Sequence, residues 1–171
     1  MALRYALLGA LADHPRTGYE LLKHFEQSLA YAWPASHSQI YPELARLRDE
    51  GLIEQTGSGA RNSKTYAVTS DGLAEVRRWL RETEPDRRVR SDAAMRTFFL
   101  WLLEPDEALE QLGTERAYWR GRLDELEQIK AGPRGSGRKE QAFGIALEGG
   151  IRTIESRLDW LDWATSELAS G

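Results

Sequence analysis

The chain has 171 residues, of which 41% are hydrophobic and 29% are charged, a balance typical of a folded globular protein and not of a disordered segment. The net charge of −4 does not itself indicate a nucleic-acid partner, and the absence of cysteine excludes disulfides, thiolate zinc sites and cysteine nucleophiles. The longest apolar run, residues 98–103, is too short to cross a membrane, and no signal peptide is visible. We therefore expect a cytoplasmic protein with one domain of ordinary size or two small domains.

Three helices are predicted at the start of the chain. Leucines at helical spacing indicate a short core helix over residues 3–12. Two capping boxes, Thr17–Glu20 and Ser36–Gln39, indicate where the second and third helices begin. The third helix is predicted to run to about Glu50, because the following Gly51 is a typical helix stop.

A β-hairpin and a fourth helix are predicted next. Residues 52–56 and 64–69 are strand-like, and between them lies a glycine-containing tip over residues 57–63. This tip is longer than a two-residue turn requires, which is common where a loop has a function. The helix that follows carries its apolar face on Leu73, Val76, Trp79 and Leu80.

The second half of the chain is predicted to be helical throughout. The charged, proline-containing segment 84–90 marks a domain boundary, which divides the chain into residues 1–84 and 85–171. Ser91 is expected to cap a helix that carries Met95, Phe98, Phe99 and Leu102, and Pro105 begins the next helix. A breaker over residues 131–137 separates that helix from the last one.

This order of elements predicts a mainly α protein, with an N-terminal winged helix-turn-helix and a C-terminal helical dimerisation domain. The third helix is the expected reader of double-stranded DNA, because its small and polar side lies opposite the apolar stripe Ile40/Leu44/Leu47. The two-stranded hairpin is the expected wing, which would contact the adjacent phosphate backbone. The predicted DNA-binding residues are Ser38, Gln39, Tyr41 and Arg46 on the helix, and Arg61 and Lys64 on the wing.

The charge pattern alone leaves an alternative open. Basic and acidic side chains balance over residues 1–69, and Arg46 and Arg48 have acidic neighbours, as on an ordinary solvated helix face. Winged helices also serve as protein-interaction modules that bind no DNA. The order of the elements favours the DNA-binding interpretation more than the charge does.

The same residues carry a family resemblance. Five stretches stand in the order and spacing of the PadR family: Tyr5–Leu11, Gly18–Leu21, Gln39–Leu47, Glu50–Ile53 and Lys64–Gly72. The chain thus resembles dimeric bacterial transcription regulators that are often repressors, several of which respond to phenolic acids or other hydrophobic small molecules. The helical second half resembles the larger branch of that family.

The resemblance implies DNA contacts for Ser38, Gln39 and Tyr41, and backbone contacts for Lys64 and Arg61. The family often has glycine directly before the Gln-Ile-Tyr triplet, and Ser38 occupies that place here. Serine is still small enough for groove entry, but the base preference could differ. The implied function is a repressor that binds an inverted-repeat operator and is released or retuned by a small ligand.

A heptad pattern in the last helix predicts the homodimer interface. Leu147, Ile151, Ile154, Leu158 and Leu161 follow alternating steps of four and three residues. Two such helices joined by a short breaker are expected to leave this seam uncovered, so that a second copy packs on it. Packing of the seam within its own chain is the alternative.

The chain has six tryptophans, and Trp101, Trp119, Trp160 and Trp163 lie in the second half. Together they are candidates for an aromatic-lined crevice between the halves of the dimer that holds a flat hydrophobic effector. The favoured interpretation of each single tryptophan is contact area in a thin helical core.

No catalytic, metal or cofactor site is predicted. His14, His24 and His37 lack the spacing of metal ligands, and the glycine-rich tip at residues 57–59 is not followed by a phosphate-binding helix. We therefore expect a protein that is not an enzyme.

Overall fold

The computed structural model describes residues 2–25, 36–58, 64–87, 91–133 and 135–170. The chain divides into two compact units, Met1–Arg87 and Arg88–Gly171, and the division falls inside the charged segment 84–90. None of the helices in the described ranges is long and apolar enough to span a bilayer.

The first unit has the order of elements of a winged helix. Its helices and strands are α1 (Ala2–Asp13), β1 (Arg16–Thr17), α2 (Gly18–His24), α3 (His37–Asp49), β2 (Ile53–Ser58), β3 (Lys64–Val68) and α4 (Ser70–Glu82). The three strands form an antiparallel sheet in the order β1-β3-β2. The predicted hairpin is β2 and β3, in which Ile53 pairs with Val68 and a bulge lies between Gln55 and Gly57.

Strand β1 was not predicted from the sequence. It is only two residues long, with Arg16 opposite Tyr66 and Thr17 opposite Thr65. A two-residue strand shows no alternation of apolar and polar side chains, so periodicity cannot reveal it.

Both predicted capping boxes are formed. Thr17 accepts a hydrogen bond from the Glu20 backbone N–H at 3.2 Å, and the Thr17 N–H donates to the Glu20 carboxylate at 2.7 Å. These bonds from Thr17 lower the pKa of Glu20 below its usual value. At α3, the Ser36 N–H donates to the Gln39 side-chain oxygen at 3.0 Å. The two boxes satisfy helix-start amides that have no partner within the helix itself.

The core of the first unit is formed by apolar side chains on the inward faces of its helices and strands. The α3 stripe of Ile40, Leu44 and Leu47 is almost fully buried, as its spacing predicts. It packs in one cluster with Leu7, Leu8, Leu11, Leu21, Phe25, Ile53 and Tyr66. Each large aliphatic side chain buried in this way contributes about 1.5–3 kcal/mol.

Two glycines fix the path of the chain between α3 and α4. Gly51 has a φ of 75°, in the left-handed region, which lets the chain leave α3 and enter β2. The Thr69 hydroxyl donates to the Gly51 carbonyl at 2.8 Å and accepts from the Gly72 N–H at 3.1 Å. Gly72 lies so close to the backbone just before strand β2 that a Cβ there would be 2.1 Å from the Leu52 carbonyl oxygen. The start of α4 therefore requires glycine at position 72.

The second unit is a long helical hairpin preceded by a short helix. Its elements are α5 (Asp92–Thr97), a 3₁₀ turn (Leu100–Leu102), α6 (Pro105–Ala131) and α7 (Arg138–Ser170). Ser91 caps α5, because its side chain accepts from the Ala94 N–H at 3.1 Å.

The expected continuation of helix α5 through Leu102 is wrong. Bonds of i→i+3 type from Phe98 and Phe99 tighten the chain at its end, and aromatic residues lose rotamer freedom inside helices.

The heptad seam of α7 is covered by α6 of the same chain. Leu147, Ile151, Ile154 and Leu158 pack with Leu123 and Leu126, and these four and Leu161 are 8% exposed or less. The expectation that the seam stays open until a second copy covers it is therefore corrected. Helices of 27 and 33 residues are long enough to bury each other's apolar stripes in one hairpin.

Candidate functional site

The candidate site is built on the exposed face of α3. Burial of the apolar stripe turns Ser38, Tyr41, Ala45 and Arg46 towards solvent on the other side of the helix. Small and polar side chains along one helix face leave room for the helix to enter a groove. We call this set the exposed α3 face.

The N-terminus of α3 uses part of its polar groups for capping. The Gln39 Oε1 atom accepts from both the backbone N–H and the hydroxyl of Ser36, at 3.0 and 3.1 Å. The Ser36 hydroxyl also lies 2.9 Å from the Ser38 hydroxyl. Gln39 therefore holds the helix start with its side-chain oxygen. Its side-chain NH₂ group is the part that remains to donate to a ligand.

Tyr41 is held in place by two neighbours that sequence reasoning did not assign to the site. Its ring lies 4.2 Å from the His37 ring, centroid to centroid, at an angle of 33°. On the other side is Gly18, where a Cβ would come within 2.8 Å of the Tyr41 Cε1 atom. Tyr41 remains 39% exposed between them. The glycine thus makes room for the ring and the histidine limits its movement.

Arg46 lies at the C-terminal end of the exposed α3 face, with its guanidinium accessible to a ligand. Its side chain is 72% exposed, and its Nη1 atom lies 3.4 Å from the Glu43 carboxylate. An exposed ion pair at that distance contributes little, so the guanidinium can exchange Glu43 for another anion.

The wing is described at its base, and its tip lies outside the described residues. Lys64 is exposed at the start of β3 and stands opposite Ser58 in the register. Arg61, the other predicted wing residue, falls in the range 59–63 that the structure does not describe. Lys64 is therefore the one predicted wing cation that the structure places.

Two exposed side chains, Tyr19 and Lys23, lie on α2 next to the exposed α3 face. Tyr19 follows Gly18, the residue on which Tyr41 packs, and is largely exposed. The Lys23 ammonium lies 5.1 Å from the centre of the Tyr19 ring. Sequence reasoning missed this pair, although the i, i+4 spacing of Tyr19 and Lys23 places them on one helix face.

The four tryptophans of the second unit are not brought together in one site. Trp119 is partly buried in the hairpin, where its Nε1–H donates to Glu115 at 3.2 Å and the Arg157 guanidinium lies 4.9 Å from its ring. Trp160 lines a surface groove of about 420 Å³, and Trp101 and Trp163 do not. The other residues of this groove are Ala94, Thr97, Phe98, Thr153, Ser156 and Arg157. The expected crevice between the two halves of a dimer, lined by these tryptophans, stays a prediction.

Across the parts of the chain that the structure describes, no group of three or more His, Asp or Glu residues is arranged to hold a metal ion.

The helix-turn-helix, the hairpin that follows it and the polar α3 face define a winged-helix protein with an appended helical hairpin. Two family models match in agreement with this division. Residues 7–78 match the transcriptional regulator PadR-like family, and residues 89–169 match the C-terminal region of virulence activator alpha.

Over its whole length the chain is similar to the negative transcriptional regulator PadR of Bacillus subtilis. The two are 30% identical over 175 residues, which cover 98% of this chain and 96% of the relative. The chain belongs to the PadR-like family of transcriptional regulators.

Solved structures agree with this assignment. A crystal structure of B. subtilis PadR in complex with operator DNA matches with a TM-score of 0.86, at 26% identity over 98% of this chain and 99% of the other. A crystal structure of the same protein in complex with p-coumaric acid matches with a TM-score of 0.82, at 26% identity and 99% coverage of both chains.

Proposed function

We propose that this protein is a repressor that binds an inverted-repeat DNA operator as a homodimer, in the cytoplasm, and that a small phenolic or hydrophobic ligand modulates its binding. The observation that carries the proposal is the match, over 98% of the chain, to a PadR structure in complex with operator DNA. The exposed α3 face and the wing supply the surface that such a function needs.

In this proposal α3 enters the major groove. Ser38, the Gln39 NH₂ group and Tyr41 lie at its N-terminal end, where recognition helices contact base edges. Arg46 lies further along the same helix and is long enough to reach a guanine edge or a phosphate. The packing of Tyr41 against His37 and Gly18 orders the ring before binding, which reduces the entropy lost on contact.

The phosphate contacts in this proposal come from both sides of α3. Lys64 and Arg61 would serve from the wing, and Lys23 and the Tyr19 hydroxyl would serve from α2, the helix that crosses the backbone in this motif. The chain has a net charge of −4, so long-range attraction does not favour DNA. Affinity would then depend on these few local cations.

The ligand part of the proposal is supported by the p-coumaric acid complex of the relative. In this chain the groove between α5 and α7 offers the Phe98 and Trp160 rings beside the Arg157 guanidinium. Aromatic walls with one cation suit a flat ring that carries an acidic group.

The test measures binding of the purified protein to DNA taken from upstream of its own gene, by fluorescence anisotropy at several salt concentrations. Tyr41→Ala is compared with Tyr118→Ala, which removes an exposed tyrosine from α6. We expect Tyr41→Ala to weaken binding by about 1–3 kcal/mol and Tyr118→Ala to leave it unchanged.

The wing is tested in the same titration. Lys64→Ala should reduce the slope of log affinity against log salt by about one unit, and Lys139→Ala on α7 should not change it. Circular dichroism shows whether the wild-type protein is folded. If the folded protein bound neither this DNA nor random DNA, the winged-helix unit would instead be a protein-interaction module.

A further inference from the structure

Helix α3 carries acidic side chains beside those proposed to contact DNA. Glu43 and Asp49 lie on the helix, and Glu50 follows it directly. A carboxylate repels nearby phosphates, and a negative charge at the C-terminal end of a helix also opposes the helix dipole. Each of these three acids is held by an arginine, and they differ in where that arginine lies.

Two of the three acids are paired within α3. The Glu43 carboxylate lies 3.4 Å from Arg46, and the Asp49 carboxylate lies 2.7 Å from Arg48. Both partners of each pair belong to the same helix and move with it. These two pairs therefore offset negative charge on α3 without fixing the position of the helix in the protein.

Glu50 is paired with Arg4, which belongs to α1. The Arg4 Nη2 atom donates a hydrogen bond to the Glu50 Oε2 atom, and the two side chains are 24% and 46% exposed. The backbone N–H of Glu50 donates to the Arg46 carbonyl at 2.9 Å, so the last turn of α3 carries the Glu50 side chain. The Arg4–Glu50 pair thus joins the first turn of α1 to the end of α3.

The turn of α1 that carries Arg4 is itself held by α4. The Tyr5 ring stacks on the Trp79 ring, with centroids 4.6 Å apart and an angle of 5° between the planes. The Tyr5 hydroxyl donates to the Glu75 carboxylate at 3.3 Å, and the Arg78 Nε atom donates to the same carboxylate at 3.1 Å. Because its neighbour is anchored in this way, Arg4 can act as a fixed point for α3.

Apolar packing does not by itself fix the orientation of α3. Leu7, Leu8 and Leu11 of α1 pack with the apolar stripe of α3 in one core. Hydrophobic attraction is non-directional, so such a core opposes separation of the helices more strongly than a small tilt of one of them. Hydrogen bonds to base edges are directional, and a tilt of α3 would weaken them. The Arg4–Glu50 pair supplies a directional contact at one end of the helix.

We propose that Arg4 is a positioning residue for DNA recognition. Through its ion pair with Glu50 it sets the orientation of α3 relative to α1, and with it the placement of the exposed α3 face in the groove. This rests on the proposed function, in which α3 enters the major groove. Neither Arg4 nor Glu50 contacts DNA in this proposal. A partly exposed ion pair contributes little to stability, so its effect on binding is separable from folding.

The experiment compares three neutral variants of the full-length protein, Arg4→Gln, Glu50→Gln and Asp49→Asn. Each is titrated by fluorescence anisotropy against the DNA from upstream of its own gene and against random DNA of equal length, at several salt concentrations. Asp49→Asn is the matched control, because it removes a neighbouring carboxylate whose arginine partner lies on the same helix. Circular dichroism shows whether each variant is folded.

We expect Arg4→Gln and Glu50→Gln each to weaken binding to the upstream DNA by about 10-fold, the effect of losing one coupled pair. Binding to random DNA should change much less, because it depends on phosphate contacts, and the salt slope should keep its wild-type value. The double variant should bind as each single variant does, because both substitutions remove the same contact.

The direction of the Glu50→Gln effect separates positioning from charge. Removal of a carboxylate near DNA leaves binding unchanged or strengthens it when only charge matters, which is the result we expect for Asp49→Asn. Loss of the Arg4–Glu50 pair weakens binding, although it also removes a negative charge. If Arg4→Gln lost helical signal, Glu50→Gln would decide, because its side chain is nearly half exposed.

Three results would overturn the positioning role. Equal losses of Arg4→Gln on both DNAs, with a salt slope reduced by about one unit, would make Arg4 a phosphate contact. Wild-type or tighter binding by folded Glu50→Gln would show that the pair does not orient α3. An equal loss in Asp49→Asn would show that the effect is not particular to this pair. In all three the wild-type protein still binds the upstream DNA, whereas a folded wild-type protein that binds no DNA overturns the proposed function as well.

Discussion

The two units of this protein differ in how completely one chain buries its apolar side chains. In the first unit, α3 turns its apolar stripe into a closed core and leaves a polar face outside. In the second unit, α6 and α7 bury their facing stripes, but the apolar segment 95–103 stays exposed. Both halves are rich in leucine and aromatic residues. The comparison teaches that the completeness of a core depends on where apolar residues lie, not on how many there are.

The largest effect is expected from a substitution in the apolar seam of α7, and it tests whether this seam packs within its own chain or against a second copy. Ile154 is fully buried between α6 and α7. Ile154→Asp should destabilise the hairpin by about 4 kcal/mol or more, because it removes a core side chain and buries an unpaired carboxylate. Urea unfolding followed by circular dichroism measures the loss, and the exposed neighbour Thr153→Asp is the control. A folded, monomeric Ile154→Asp protein of wild-type stability would instead show that the seam packs between copies.

A pair of identical substitutions sharpens the comparison between the units. Gly72 in the first unit has the Leu52 carbonyl oxygen 2.1 Å from where a Cβ would lie, whereas Gly113 in α6 has no atom within 4 Å. Gly72→Ala should destabilise the protein by about 1–3 kcal/mol through overpacking. Gly113→Ala should stabilise it by about 0.5–1 kcal/mol, because alanine is the better helix residue. Thermal unfolding of both variants measures the two signs, and an equal sign would contradict the packing described at Gly72.

The smallest expected effect concerns the capping box of α2. Hydrogen bonds from Thr17 lower the pKa of Glu20, so the folded state favours the ionised carboxylate. This contribution is present above the unfolded pKa of about 4.3 and is lost as the pH falls through the lower folded value. Glu20→Gln should therefore flatten the decline of stability in acid by a few tenths of a kcal/mol, because the group is solvent-exposed. Unfolding free energies at pH 3 and pH 6 test this, with Glu110→Gln as control.

The helices were predictable wherever periodicity and caps agreed. Thr17, Ser36 and Ser91 each precede a helix as expected, and Gly51 follows α3. These signals are local, because a cap bonds to amides within three residues. Strand β1 was not predictable, since it is defined only by its pairing with β3, about fifty residues away in the chain.

The sequence also could not predict which helix covers an apolar stripe. The heptad steps of α7 correctly identify a buried seam, but the same pattern serves a partner helix in the chain or in a second copy. In the candidate site, Tyr41 follows from its place opposite the apolar stripe. The contributions of Gly18 and His37 became visible only with the packing of the ring, because Gly18 belongs to another helix.

Thr17 takes part in two structural elements at once, strand β1 and the N-terminal cap of α2. Its backbone pairs with Thr65 in the sheet that carries the wing, and its side chain caps the helix on which Tyr41 rests. The base of the wing and the start of α2 are therefore joined by a single residue, with no loop between them to absorb movement. A displacement of the wing base would be transmitted directly to α2 and from there to the Tyr41 ring. The spacing between the wing base and α3 is therefore fixed, and in the proposed function DNA whose groove width does not match this spacing would have to deform to be bound.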